Sequence, residues 1–175
     1  MTTSPKPVDA TADAWHVLRN RTFDEIAIGD SASLERAFSS QDIHMFALQS
    51  GDVDPEPAVS SSARGTTEAI CANALISAVL STRLPGPGTR YVNQNLCFLG
   101  AVRPGDRLTV RMQVTSKDTA NHHVTLACTC TNQTGVAVFQ GQVEVVAPTE
   151  RMERARTALP EIHPDAQGRT GLQHL

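Results

Sequence analysis

The sequence predicts an α+β protein in which a curved antiparallel sheet of about five strands encloses one long helix. Residues 66–82 form a run whose apolar side chains fall on most sides of a helix, and a helix of that kind is buried nearly all round. From Thr89 onward apolar side chains recur at every second residue instead, which is the period of strands with one face in the core. A single sheet curled around the helix buries both elements.

Two helices are expected. A short amphipathic helix is predicted at residues 42–50, because apolar residues lie there at helical spacing. The Ser and Asp residues just before them can cap the start of the helix, and Gly51 ends it. The long helix is expected to begin with Thr66 or Thr67 as its cap. Glu68 then lies in the first turn, where the helix dipole favours a carboxylate.

One strand is predicted before the short helix and four after the long one. The last three are separated by short turns and are expected to form an antiparallel meander. The five segments are residues 31–38, 90–98, 107–114, 124–131 and 137–145.

Length and charge exclude several classes of protein. A chain of 175 residues with 40% apolar residues is one domain with enough material for a core. A net charge of −3, 4% aromatic residues and no basic cluster argue against nucleic acid as a partner. No run of eighteen apolar residues and no signal peptide is found, so no membrane association and a cytoplasmic location are expected. The four cysteines are interpreted as reduced core residues.

The chain is expected to have three parts. Residues 1–20 have no sustained periodicity and are predicted to be a flexible leader. Residues 21–150 carry all the predicted strands and helices and form the folded domain. Residues 151–175 are polar, contain Pro and Gly, and are predicted to be a tail or a linker.

Several segments of the chain resemble the MaoC-like hotdog family of (R)-specific enoyl-CoA hydratases, over roughly residues 21–150. The resemblance is closest to the hydratase-like domain that precedes phosphate acetyltransferase in some bifunctional bacterial proteins, where an LPE segment similar to Leu159–Glu161 leads into the transferase. The segments are SGDVDP (50–55), ALISAVLSTRLPGPGTRYVNQNLCF (74–98), RPGDRLTV (103–110) and CTNQTG (130–135).

The resemblance implies a hotdog fold, a homodimer or a dimer of dimers joined through sheet edges, and an acyl-CoA thioester bound at the subunit interface. The implied reaction adds water to a trans-2-enoyl-CoA, or removes it from an (R)-3-hydroxyacyl-CoA. A carboxylate and an imidazole hold the water, while backbone N–H groups at the start of the long helix hold the thioester oxygen. Neither a cofactor beyond the CoA thioester itself nor a metal ion is expected.

The chain departs from the family pattern at its catalytic residues. Asp52 stands where the family has its catalytic Asp, but Pro57 replaces the expected His and can neither donate nor accept a side-chain proton. Glu68 and Ala69 stand in place of a His-Gly pair, and the nearest basic residue followed by glycine is Arg64, before Gly65. The candidate catalytic residues are therefore Asp52 and Glu68, and Gly65 and Ala69 are candidate substrate-binding residues.

The remaining candidates each have a simpler interpretation. Arg90 is a candidate contact for the phosphates of CoA, although a solvated charge is the default for a surface arginine. Asp52 can also simply end a helix and cap a turn after Gly51. His44 is a candidate replacement for the missing imidazole, and its simpler interpretation is a surface or partly buried residue of the short helix. His122 and His123 are expected in the turn before a strand, and two adjacent histidines on a strand point to opposite faces, which makes a metal pair unfavourable.

Two functions are therefore compatible with the sequence. One is a MaoC-like acyl-CoA hydratase or dehydratase with an altered catalytic motif. The other is a catalytically silent hotdog protein that binds an acyl-CoA thioester or serves as an assembly module.

Overall fold

The computed structural model describes residues 17–51 and 64–155, and of residues 64–68 it describes the backbone. A single turn of 3₁₀ helix at Phe23–Glu25 accompanies seven strands and two α-helices in this part of the chain. They are β1 (Val17–Arg19), β2 (Ser31–Ala37), α1 (Ser40–Ser50), α2 (Arg64–Thr82), β3 (Arg90–Phe98), β4 (Arg107–Asp118), β5 (His123–Thr131), β6 (Ala137–Val146) and β7 (Glu153–Ala155).

Five of the strands form one antiparallel sheet in the order β2-β4-β5-β6-β3. The predicted meander is confirmed, because β4, β5 and β6 are consecutive neighbours. The inward side chains of β4 and β5 alternate with exposed ones, as in Leu108, Val110 and Met112, which are all fully buried. The sheet and α2 share one hydrophobic core, so the predicted α+β arrangement is confirmed.

The caps of α1 match the sequence prediction. Ser39 is the N-cap, and its hydroxyl accepts a hydrogen bond from the backbone N–H of Asp42 at 3.1 Å. The Asp42 carboxylate in turn accepts the hydroxyl and the backbone N–H of Ser39, and these bonds hold the pKa of Asp42 below its usual value. Gly51 ends the helix in the left-handed conformation, with φ 74°, which a glycine adopts without strain.

The long helix α2 differs from the prediction in two ways. It begins at Arg64, so Thr66 and Thr67 lie inside its first turn instead of capping it. Its burial is also one-sided, since the side towards the sheet is buried and the opposite side is exposed. The prediction of a helix buried nearly all round is therefore wrong for the single chain, because one five-stranded sheet covers only one side of a helix. The exposed stripe consists of Ile70, Ala74, Ser77 and Ser81.

The two ends of the described chain meet in a small second sheet, in which β1 pairs antiparallel with β7. Asn20, which is 4% exposed, joins this sheet to the rest of the fold. Its amide nitrogen donates to the carbonyl of Glu150 at 2.7 Å, and its amide oxygen accepts the N–H of Met152 at 2.8 Å. We call β1, β7 and Asn20 the clasp. The clasp extends beyond residues 21–150, and the domain boundaries stay a prediction.

No helix in residues 17–51 or 64–155 is both long enough and apolar enough to cross a membrane.

Candidate functional site

The helix α2 and the edge strand β3 run side by side in opposite directions. Seven residues connect the end of α2 to the start of β3. The Gln94 amide nitrogen donates to the Asn73 amide oxygen at 3.0 Å, which fixes the alignment of the two elements. Asn73 lies nine residues, or about 13 Å, before the end of α2, and Gln94 lies four residues, again about 13 Å, after the start of β3. The second half of β3 therefore lies beside the first half of α2.

Apolar side chains are found on both of these half-elements. On β3, Leu96 packs against the core and the Phe98 ring lies edge-on to the buried Phe139 ring, with 5.8 Å between centroids. On α2, Ala69 is half-buried and Ile70 is 43% exposed. We call Ala69, Ile70, Leu96 and Phe98 the apolar trough. Phe98 is also 43% exposed, so its ring is accessible in the single chain.

A chain of hydrogen bonds between polar side chains joins β3 to α2. The Tyr91 hydroxyl donates to the Gln94 amide oxygen at 2.5 Å, and Gln94 donates to Asn73 as described above. Burial, with a smaller contribution from the nearby Cys128 thiol, raises the pKa of Tyr91 to about 12, so the phenol keeps its proton at neutral pH. We call Tyr91, Gln94 and Asn73 the polar closure.

Sequence reasoning missed the polar closure. The available signal was Asn73, an amide between alanines in a run of otherwise apolar residues.

The first turn of α2 contains Gly65. The first four N–H groups of a helix have no partner within it, so the groups of residues 64–67 are the ones that can hold a thioester oxygen. The N–H of Ala69 lies one turn further on and bonds within the helix to the carbonyl of Gly65. The binding roles of Gly65 and Ala69 stay predictions, and only Gly65 could act through its backbone N–H.

The predicted catalytic residues lie mostly outside the described part of the chain. Asp52 and Pro57 belong to residues 52–63. Asp52 directly follows Gly51, the cap of α1, and α1 contacts α2. Glu68 lies on α2, and its side chain is outside the described part. His44 is exposed on α1.

Arg90 lies far from the first turn of α2. It begins β3, beside the end of α2, and the seventeen residues from Gly65 to Thr82 span about 26 Å along the helix. The Arg90 side chain is exposed and lines an open groove of about 320 Å³ together with His122 and Glu150. The structure therefore does not bring Arg90 together with Gly65 and Ala69 in one chain.

The two adjacent histidines are engaged separately. The Nδ1 atom of His123 lies 2.8 Å from a carboxylate oxygen of Glu144. The His122 ring lies edge-on to Phe23, with 5.1 Å between centroids. Among the side chains of residues 17–51 and 69–155, no three His, Cys, Asp or Glu residues are grouped so that they could hold a metal ion.

Comparison with known proteins identifies relatives over most of the chain. An (R)-specific enoyl-CoA hydratase from Rhodospirillum rubrum is 39% identical over 132 residues, which are 72% of this chain and 91% of that protein. A 3-hydroxybutyryl-CoA dehydratase from Methylorubrum extorquens is 36% identical over 137 residues, or 75% and 87% of the two chains.

A solved structure is similar as well. The unliganded R-hydratase PhaJ1 from Pseudomonas aeruginosa superposes with a TM-score of 0.75 and 32% sequence identity, over 84% of this chain and 98% of that one. The predicted hotdog fold is thereby confirmed. The family profile described as "MaoC like domain" matches residues 25–134. The chain belongs to the MaoC-like domain family of enoyl-CoA hydratases and dehydratases.

Proposed function

We propose that the chain binds an acyl-CoA thioester, with the thioester at the first turn of α2 and the acyl chain in the apolar trough, and that it hydrates trans-2-enoyl-CoA slowly. The observation that carries this proposal is that the first turn of α2 is followed on the same helix by an apolar side chain, Ile70, which is 43% exposed. The N–H groups of the first turn of a helix have no partner within that helix, so a thioester oxygen and an alkyl chain match these two features.

The proposed chemistry follows from the residues that remain. The Asp52 carboxylate takes a proton from water while the hydroxide bonds to the β-carbon of the enoyl thioester and the double-bond electrons shift towards the thioester oxygen. The protonated Asp52 carboxyl then returns that proton to the α-carbon. The first turn of α2 holds the thioester oxygen while negative charge develops there. Pro57 supplies no second proton-transfer group, and such a group is worth about 10²- to 10⁴-fold in rate. Slow turnover follows from its loss.

A second candidate function is binding without turnover, either of an acyl-CoA thioester or as an assembly module. Pro57 favours it, because the first turn of α2 and the trough can hold a ligand without any residue at the position of the missing imidazole.

We also propose that two copies associate through β3. This strand is the last in the sheet order, and an unpaired edge is a template for another strand. Large apolar side chains are exposed along it and just after it, and a second copy would bury them. They are Tyr91, Val92, Phe98 and Leu99, which are between 43% and 51% exposed. Light scattering at micromolar concentration should report at least twice 18.8 kDa, and a monomer would contradict this proposal.

Two measurements together separate the candidate functions. Hydration of crotonyl-CoA is followed by loss of the ultraviolet absorbance of the enoyl thioester, and binding of butyryl-CoA is followed by titration calorimetry. The proposed hydratase gives slow turnover that Asp52→Asn abolishes, with butyryl-CoA binding retained. Binding without any turnover supports the second candidate. If the protein neither binds butyryl-CoA nor hydrates crotonyl-CoA, both acyl-CoA proposals are contradicted. The assembly module then remains as the candidate function.

The variant Pro57→His tests the cause of the slow rate. It should recover little activity by itself, because the residue at position 68 and the loop before it also differ from the family pattern. Fast turnover by the natural protein that vanishes in Asp52→Asn would show instead that another residue replaces the imidazole. Glu68 and His44 are the first to test in that case.

A further inference from the structure

We propose that the open groove beside the start of β3 binds a free α-amino acid with an apolar side chain. The groove has a volume of about 320 Å³, which lies at the lower end of the range for small-ligand sites. This inference does not depend on the proposed function, because the groove lies beside the end of α2. About 26 Å of helix separates that end from Gly65.

Two opposite charges line this groove without pairing with each other. The side chains of Arg90 and Glu150 are both exposed. Neither of them has a hydrogen bond or an ion pair among the residues that the structure describes. A simple anion would be attracted by Arg90 and repelled by Glu150, and a simple cation would meet the reverse. A molecule that carries both signs can pair with both side chains, so the lining matches a zwitterion.

Four other residues that line the groove are apolar. They are Val146, Ala147, Pro148 and Met152, and Ala147 and Pro148 are buried. Val146 is paired in register with Arg90, so both side chains lie on the same face of the sheet. A ligand whose carboxylate is held by Arg90 therefore meets an apolar surface beside its charged end. An α-amino acid with an aliphatic side chain has this combination of groups.

The backbone around the groove is held in place by the rest of the fold. His122 has a φ of 56°, which residues other than glycine rarely adopt, and its carbonyl accepts the N–H of Ala147 at 3.0 Å. Residues in such conformations cluster at ligand sites. The clasp fixes the opposite side, because Asn20 bonds to the backbone of Glu150 and Met152. A backbone that is already fixed loses little entropy when a ligand binds.

The test is a set of NMR titrations of the natural protein labelled with ¹⁵N. L-Leucine is compared with two analogues that each lack one charge: 4-methylpentanoate lacks the ammonium group, and 3-methylbutylamine lacks the carboxylate. Leucine should shift the backbone amide signals of residues that line the groove, among them Arg90 and Val146. Each analogue should bind about tenfold more weakly or worse, because hydrogen bonds to a charged group contribute at least that much to affinity. Glycine keeps both charges and should also bind more weakly than leucine, because it has no side chain to cover the apolar residues.

Two variants test the charges from the side of the protein. Arg90→Gln and Glu150→Gln each remove one charge at an exposed position, and each should weaken leucine binding about tenfold. Glu150→Gln should also bind 4-methylpentanoate more tightly than the natural protein does, because the repulsion of the carboxylate is removed. The matched control is Arg103→Gln, the same change at an exposed arginine in the turn before β4, which should leave leucine binding unchanged.

Three results would overturn the inference. The first is binding of 4-methylpentanoate or of 3-methylbutylamine as tight as that of leucine, which would mean that a single charge is recognised. The second is a set of amide shifts outside the groove, and the third is no shift at any leucine concentration up to its solubility. All three are obtained with the natural protein, so they do not depend on whether the variants fold. They are also independent of whether the chain binds or hydrates an acyl-CoA thioester.

Discussion

Substitutions at Leu75 test how much the packing of α2 against the sheet contributes to the free energy of unfolding. Leu75 is 3% exposed and lies in the shared core of α2 and the sheet. Replacing it with Ala removes buried methyl groups and leaves a cavity, which costs about 2–5 kcal/mol. Because small domains are stable by only about 5–15 kcal/mol, we expect Leu75→Ala to lose a large part of the free energy of unfolding. Leu75→Asp should not fold in soluble form, because it buries an unpaired charge.

The matched control is Ser77→Ala. Ser77 is two residues after Leu75 but lies on the exposed stripe of α2. Ala is a better helix former than Ser, and exposed substitutions change stability by within about 0.5 kcal/mol. Both variants are measured by urea unfolding followed by far-ultraviolet circular dichroism. If Leu75→Ala and Ser77→Ala differed by less than about 0.5 kcal/mol, the reasoning that places one side of α2 against the sheet would be refuted.

Three further predictions follow from the described residues. Asn20→Ala should cost about 2 kcal/mol, because two hydrogen bonds of roughly 1 kcal/mol each are lost from the clasp; an unchanged urea midpoint would contradict this. In the native protein a thiol reagent should modify the exposed Cys97 before the buried Cys128 and Cys130, and peptide mapping of the labelled thiols checks the order. Burial raises the pKa of Cys128 and Cys130 to about 12 from an ordinary value near 9. In the unfolded chain their thiols therefore ionise at lower pH, so the contribution of these two thiols to stability should be constant below about pH 9 and be lost between pH 9 and 12. Replacing both with Ala should remove that loss in a series of urea midpoints.

Local signals in the sequence predict the elements well. The Ser39 cap and the terminal glycine of α1 act within a few residues, so they can be found without any knowledge of the fold. The meander likewise follows from side chains that alternate along each strand. The burial of α2 could not be predicted in the same way, because apolar residues on most faces of a helix do not tell which neighbour covers each face.

The candidate site was predictable only where a family pattern exists. Asp52 and Pro57 are visible from the pattern around them. The polar closure joins Gln94 to Asn73 across 21 residues, and the contact depends on how far β3 is shifted along α2. Alternation of side chains along a strand does not determine that shift. The same antiparallel alignment explains the position of Arg90. It lies beside the C-terminal end of α2, whereas Gly65 lies at the N-terminal end.

The clasp has a consequence for the order in which the chain folds. Asn20 meets Glu150 and Met152 across 130 and 132 residues, whereas the hairpins of the meander close over a few residues. Closing a long loop costs more chain entropy than closing a short one, and the cost is recovered only when the segments between are already in place. We therefore expect the clasp to form after the main sheet during folding. For the same reason it should be the first part to open, so the amide protons of β1 and β7 should exchange with solvent earlier than those of β4 and β5.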